Sequence, residues 1–302
     1  MSADGAQRFE LPNGIALDYS DTGPQDAPAL IFLHGFPENR HSWRHQIAHL
    51  SDRFRCIAPD QRGYAGSSKP AGVGSYRADQ LVGDIFLLAA ELAVERFTIV
   101  GHDWGGAIAW GVAMAGQANG KVGRAVIANA PHPAIFQRLL YTDPAQRQAS
   151  QYMRAFRDPA SDALVEQAGL GALLEREISW DAAARMEPDE RALLERQWQD
   201  REAAIAMLNW YRASPVDVPA PDAPYALPPG FAPYAAPRLT IPTLVIWGME
   251  DRALPPANIA GLDTLIDDLI VHEVPGAGHF VQWEAPREVN RALDAFLEAT
   301  AY

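Results

Sequence analysis

The chain has 302 residues, of which 48% are hydrophobic and 21% charged, with a net charge of −13 at neutral pH; that length allows one large domain carrying a smaller insertion. This mix excludes a disordered chain, and the acidic balance repels phosphate backbones and anionic membrane surfaces, so neither nucleic acid nor membrane is expected as a partner. The single cysteine, Cys56, excludes an intramolecular disulfide and a cysteine-based metal cluster, and with no secretory pattern at the N-terminus and no membrane-length apolar run, a cytoplasmic location is expected.

Pro12-Asn13-Gly14 between two alternating stretches predicts an antiparallel hairpin at a sheet edge. Short apolar runs bounded by turn residues then predict strands at Ile15 to Tyr19, Ala29 to Leu33, Arg55 to Ala58, Phe97 to Val100 and Arg124 to Ala128. Helical periodicity lies between them, at Asp79 to Leu92 and Ala107 to Met114. The alternation stops after Ala128 and resumes with strands at Thr243 to Trp247 and Ile270 to Val274 and a last helix from Arg287 to Leu297. The interruption is rich in helix formers from Ala134 to Arg212 and then crowded with prolines from Pro215 to Pro242, which disfavour any hydrogen-bonded element. The expected architecture is α/β: a mostly parallel sheet flanked by helices, with core segments 1–130 and 239–302 and an inserted helical lid over 131–238.

Four strand ends carry chemistry. FTIVGHDWGG puts Asp103 on a strand-to-helix turn among small residues, where the helix N-terminus favours an ionised carboxylate. IFLHGFPE ends a strand with His34-Gly35-Phe36-Pro37, and the N–H groups of Phe36 and Trp104 are the expected oxyanion hole. LVIWGMED supplies Asp251, an acid able to orient an imidazole, and VPGAGHF delivers His279. Nucleophile, acid and histidine follow in the chain order of the α/β-hydrolase fold. An aspartate nucleophile displaces a leaving group at saturated carbon and leaves an ester, whereas a serine suits acyl transfer, so ordinary ester or peptide hydrolysis is disfavoured. His279 would then direct water at the Asp103 carbonyl carbon, with no metal or other cofactor.

The segments HGFPENRHSWRHQ, DQRGYAGSSKP, GHDWGG and GAGHFVQWEAP resemble the epoxide hydrolase and haloalkane dehalogenase branch of the α/β hydrolases, over nearly the whole chain and most closely the epoxide hydrolases. The resemblance implies the α/β-hydrolase fold and hydrolysis of an epoxide to a vicinal diol. It also implies a lid tyrosine pair that assists ring opening, for which Tyr152 and Tyr211 are the matching positions, with Tyr141, Tyr225 and Tyr234 as competitors. An acid working near pH 7 to 10 suits that role. Ala65 departs from the pattern, where relatives often carry glycine.

Two other readings stay open at this point. A haloalkane dehalogenase would hold its halide on N–H donors such as Trp104, with Trp180, Trp198 or Trp210 as a second donor. Fluoroacetate dehalogenases resemble the core too, but carry their acid after the strand following the nucleophile, where this chain has Asn129. A non-catalytic binding protein can also use this fold, and the intact Asp103, Asp251, His279 set argues against it. Trp104, Phe36 and His132 are expected to line the substrate pocket, while His102 is expected to turn away from it. His41, His45 and His49 are read as a helix face rather than a zinc site. The expected partners are a small epoxide and water, acting on a monomer or homodimer.

Overall fold

In a computed structural model, which describes residues 6–178, 185–232 and 236–300, the strands form one eight-stranded sheet of order β1-β2-β4-β3-β5-β6-β7-β8. β1 (Gln7–Glu10) and β2 (Ala16–Thr22) make the antiparallel hairpin, and Gly14, at φ 79°, closes its turn by donating to the Leu11 carbonyl at 2.9 Å. β2 runs antiparallel to β4 (Arg55–Pro59). From β4 onward all pairs are parallel, through β3 (Ala29–Leu33), β5 (Phe97–His102), β6 (Val122–Ala128), β7 (Thr243–Gly248) and β8 (Leu269–Val274). The predicted strands are all present, Ala29–Leu33 with both ends as expected and the others with ends shifted by no more than three residues.

The central strands are apolar on both faces because both faces are covered. Leu30, Phe32, Val100, Val126, Leu244 and Ile246 pack on one side with Trp43, Val289, Leu293, Phe296 and Leu297. Their alternates Ile31, Leu33, Ile99, Ile127, Val245 and Trp247 face the other side, towards Leu88, Ile108, Trp110 and the helices inserted between β6 and β7. On the first side, the last helix, Pro286–Ala299, presents buried Val289, Ala292, Leu293, Phe296 and Leu297 along a single stripe. Each of its large apolar side chains contributes roughly 1.5–3 kcal/mol on burial.

Between β6 and β7 the described residues form helices at Pro133–Thr142, Pro144–Ala149, Tyr152–Arg157, Ala160–Ile178, Pro188–Trp198 and Arg201–Ala213. Their starts are chemically marked: Pro133 and Pro144 each occupy the first turn, and the side chains of Asp143 and Asp200 accept from Gln146 N–H at 2.7 Å and Ala203 N–H at 3.2 Å. The proline-rich stretch after Ser214 carries no helix or strand among its described residues before the Leu239 bridge to Ile266. No described helix is long and apolar enough to cross a membrane.

The histidine stripe is broken by a change of helix type. His41 lies in the 3₁₀ turn Arg40–Trp43, whereas His45 and His49 lie in the α-helix Arg44–Leu50, and His49 Nε2 meets Asp294 at 2.7 Å.

Ala65 is held at φ 43°, in the left-handed region. A non-glycine residue there is strained by roughly 1–2 kcal/mol, partly offset by glycine's greater freedom in the unfolded chain. Ala65→Gly is therefore expected to raise stability by about 0.5–1 kcal/mol, a Tm gain of roughly 1–3 °C in a thermal melt. A lowered Tm would contradict strain at this position.

Candidate active site

The site is built at the carboxyl ends of the parallel strands. Asp103 follows β5 directly at φ 50° and opens the helix Asp103–Gln117, four residues earlier than periodicity predicts, since the elbow glycines carry no apolar signal. The tight turn depends on missing side chains: a Cβ on Gly105 would lie 2.3 Å from the His34 carbonyl oxygen, and one on Gly35 would lie 2.6 Å from the Asp103 Cβ. Those close approaches bring the loop after β3 against the carboxylate. There the Phe36 N–H donates to Asp103 Oδ1 at 2.8 Å. Trp104 N–H belongs to the first turn of the new helix, where backbone donors lack an intrahelical acceptor. The loop is fixed from below by His34, whose Nε2 accepts the Gln61 N–H at 3.1 Å and which burial keeps neutral by pushing its pKa down.

Asp251 and His279 come together as the chain order predicts. His279 Nδ1 lies 2.8 Å from Asp251 Oδ2, and its Nε2 lies 3.5 Å from Asp103 Oδ2. Asp251 is fully buried at its side chain. Its Oδ1 accepts the N–H groups of Ala253 and Leu254 at 2.8 and 2.9 Å, and its Oδ2 accepts from Asn129 Nδ2 at 2.7 Å. Asn129 was legible only as a position lacking an acid. Held at φ 38° just beyond β6, it also accepts the Gly248 N–H at 2.8 Å and so locks the acid's strand end to its own.

The electrostatics follow from this packing. Burial alone would raise the Asp103 pKa, but the His279 imidazole, the His102 ring and the Phe36 N–H outweigh it and hold the carboxyl below its ordinary value. Burial alone would lower the His279 pKa, yet the Asp251 and Asp103 carboxylates hold it well above its ordinary value. The resting site is thus a carboxylate, imidazolium, carboxylate series.

Tyr152 and Tyr211 line the same cavity as Asp103, Phe36 and His279, a space of about 430 Å³. Their rings are 6.0 Å apart, near perpendicular. Burial, with the Asp103 carboxylate adding to it, pushes both phenols above their ordinary value, so the expected working range of pH 7 to 10 does not describe the resting site. The competing tyrosines are occupied elsewhere: Tyr141 donates to Asp217, and Tyr225 lies under the Arg147 guanidinium at 4.0 Å. Tyr234 and Trp180 lie outside the described residues.

A smaller space of about 90 Å³ adjoins the first at Asp103, Tyr152 and Tyr211 and is lined by Trp104, Met153 and Phe136. His132 lines neither, which corrects its expected place in the substrate pocket. Its Nδ1 accepts the Ala134 N–H at 3.3 Å as a helix cap, its ring packs 5.2 Å from Trp110, and burial lowers its pKa to about 4. The flanking Pro131 and Pro133 reach the smaller space instead. His102 is buried and lines neither space, as its expected orientation requires. Among the described residues no group of three His, Cys, Asp or Glu side chains is placed to hold a metal ion.

Residues 28–286 match the family model of the alpha/beta hydrolase fold. The AB hydrolase superfamily protein YfhM of Bacillus subtilis is 33% identical over 98% of this chain and 99% of its own length. Epoxide hydrolase 3 of Xenopus tropicalis is 30% identical over 95% of this chain and 76% of its own. Among solved structures, one described as belonging to novel epoxide hydrolases from hot-environment metagenomes is 64% identical, covers 97% of this chain and 98% of its own, and superposes with a TM-score of 0.94. This chain belongs to the epoxide hydrolase branch of the α/β hydrolases. The epoxide hydrolase of Bacillus megaterium, solved with an inhibitor, is similar at 32% identity and a TM-score of 0.84, over 97% of this chain and all of that one. Membership of the branch confirms the expected α/β architecture.

A neutral group at Asp103 removes one of the two carboxylates that raise the His279 pKa. Asp103→Asn reproduces that loss. It is expected to move the His279 titration to lower pH, read from the ring resonances by NMR; an unmoved titration would contradict the coupling.

Proposed function

We propose that the chain hydrolyses an epoxide to a vicinal diol through a covalent ester on Asp103. The observation that carries this reading is the division of labour between the two Asp103 oxygens: Oδ1 already accepts the Phe36 N–H, and Oδ2 faces the histidine across 3.5 Å. Oδ2 attacks the ring carbon, and Oδ1 becomes the ester carbonyl oxygen, already resting on an oxyanion donor. The ring oxygen takes a proton or a strong hydrogen bond from Tyr152 and Tyr211, whose raised pKa values keep both phenols protonated at neutral pH.

Ester formation removes the Asp103 charge, so the influence that kept a proton on His279 weakens and the imidazole is released as a base. The proton that His279 gives up ends on the alkoxide oxygen, or on the tyrosine that protonated it, so the ester form holds a neutral hydroxyl, two phenols and a neutral imidazole. Neutral His279 then takes a proton from water, which attacks the Asp103 carboxyl carbon while Phe36 N–H and Trp104 N–H receive the developing oxyanion. Collapse expels the diol and regenerates the carboxylate. The 131–238 insertion serves as the lid that brings the tyrosines over the nucleophile. On this reading the enzyme is cytoplasmic, acts as a monomer or homodimer, and needs only substrate and water.

Halide displacement is less well supported, because among the described residues the indole donors it needs are engaged. Trp198 Nε1 donates to the Pro37 carbonyl at 2.9 Å, Trp210 Nε1 donates to the Arg62 carbonyl at 3.0 Å, and the Trp104 side chain hydrogen-bonds Tyr211.

If His279 serves only ester breakdown, His279→Gln should be alkylated by styrene oxide and then stall. Intact-mass spectrometry should find an adduct of the full epoxide mass, and an inactive but unmodified variant would refute the covalent route.

In that background each tyrosine-to-phenylalanine change should slow adduct formation partly, and Tyr152→Phe with Tyr211→Phe should slow it by on the order of 10²-fold or more. Alkylation at the parental rate in the double variant would remove the tyrosines from the chemistry. Efficient bromide release from a bromoalkane by the parent would favour dehalogenation instead.

A further inference from the structure

The two acid phenols stand on different inserted helices, Tyr152 on Tyr152–Arg157 and Tyr211 on Arg201–Ala213, and one side chain ties these helices together. Arg157 donates from Nε to the Tyr211 carbonyl at 2.9 Å and from Nη1 to the Val216 carbonyl at 2.6 Å. Tyr211 lies in the last turn of its helix, where a carbonyl must find its donor outside the helix. The residue four places on is Pro215, which has no N–H to give. Arg157 therefore satisfies an acceptor that the local sequence strands. From the other side of the same short helix, Phe156 packs against both phenols, its ring 5.3 Å from Tyr152 and 5.1 Å from Tyr211.

Holding the chain down does not by itself call for a guanidinium. Gln151 and Arg154, spaced at intervals of three along the same edge, already grip the return segment: Gln151 Nε2 donates to the Pro219 carbonyl at 3.1 Å and Arg154 Nη1 to the Val218 carbonyl at 2.9 Å. Neutral carbonyls can be served by a neutral donor, whereas a partly buried charge is costly. Arg157 makes no ion pair among the described residues, and its Nη2 is buried without a hydrogen-bond partner among them. Burial pulls its pKa down, opposed by Asp217 and by the Tyr211 and Tyr152 phenols. In turn its charge lowers the Tyr152 pKa against burial and the Asp103 and Asp251 carboxylates. That is where ester formation creates negative charge, since a phenol that gives its proton to the ring oxygen is left as a phenolate until a proton returns. The last-turn carbonyls beside Tyr211 carry partial negative charge of their own, which a cation bonded to them offsets.

We propose that Arg157 is a positioning residue for ester formation: it holds the Tyr211 peptide against the helix of Tyr152 and keeps a cation in reach of the phenol that yields its proton. The inference rests on the epoxide reading above, with tyrosine acid assistance.

The test follows alkylation by styrene oxide in the His279→Gln background, by rapid quench and intact mass. Rates are taken over the fraction that alkylates, so molecules that fail to fold do not enter. Arg157→Gln and Arg157→Met both lose the charge, the first keeping a neutral donor, and each is expected to slow ester formation roughly tenfold or more. Arg157→Lys keeps the charge and a donor for one carbonyl, and is expected to stay within about threefold of its parent. When Tyr152→Phe and Tyr211→Phe are already present, loss of the Arg157 charge is expected to cost no more than about threefold further, because its effect passes through the phenols. A purely structural strut would give the full loss in either background. Parental formation rates in Arg157→Gln and Arg157→Met, a lysine variant as slow as they are, or an undiminished loss beside the two phenylalanines would each overturn the proposal. A double-phenylalanine variant as fast as its parent, or a His279→Gln parent that forms no ester, would instead overturn the reading on which it rests.

Discussion

The turn at Asp103 governs the rest of the molecule. An aspartate at φ 50° is strained, and it persists because β5 and the helix after it are fixed by packing on both faces of the sheet. The turn also requires the β3 loop to approach within contact distance of the elbow, which only Gly35 and Gly105 permit. From that approach follow the Phe36 N–H bond to the carboxylate and the exposure of both Asp103 oxygens to different partners. A side chain at Gly35 or Gly105 would therefore disturb the Phe36 N–H and the Asp103 carboxylate together.

Charge is the second organising constraint. Two carboxylates flank one imidazole: Asp251 and then Asp103 raise the ring's pKa, and the ring in turn is the chief influence that holds Asp103 below its ordinary value. Asp251 is tied down by two backbone N–H groups and the Asn129 amide. Asp103 is held by fewer donors, the Phe36 N–H being its one backbone partner among the described residues. The difference in hydrogen bonding thus distinguishes two chemically identical side chains.

The core architecture was legible because buried parallel strands and amphipathic helices write their periodicity into the chain, and the last helix is the plainest instance, with Val289, Leu293, Phe296 and Leu297 on one stripe. Asp103, His279, Phe36, Tyr152 and Tyr211 line a common space, with Asp251 behind the His279 ring, because each stands just beyond a strand end or on an inserted helix facing the sheet. The bonds of Asn129 to Asp251 and to the Gly248 N–H were not legible: a polar side chain that acts on backbone groups or on another side chain carries no periodic or spacing signal. His132 misled for the same reason in reverse, since a helix-capping histidine beside two prolines reads like a pocket residue until its ring is seen against Trp110.

The indoles of the inserted helices bear on how a ligand is received. Trp198 and Trp210 each reach down from the inserted helices to a main-chain carbonyl of the core, while Gln197 accepts from Asn39 at 2.9 Å. Lifting those helices would strand buried donors and acceptors at roughly 1–3 kcal/mol apiece and wet the apolar side chains beneath. Those helices are therefore held down, and the space they cover is lined with charge by Glu177, Arg185, Glu250, Arg252 and Glu284. A guest of that space meets fixed walls and fixed charges, so molecules of equal intrinsic reactivity are separated by their girth and their tolerance of charge.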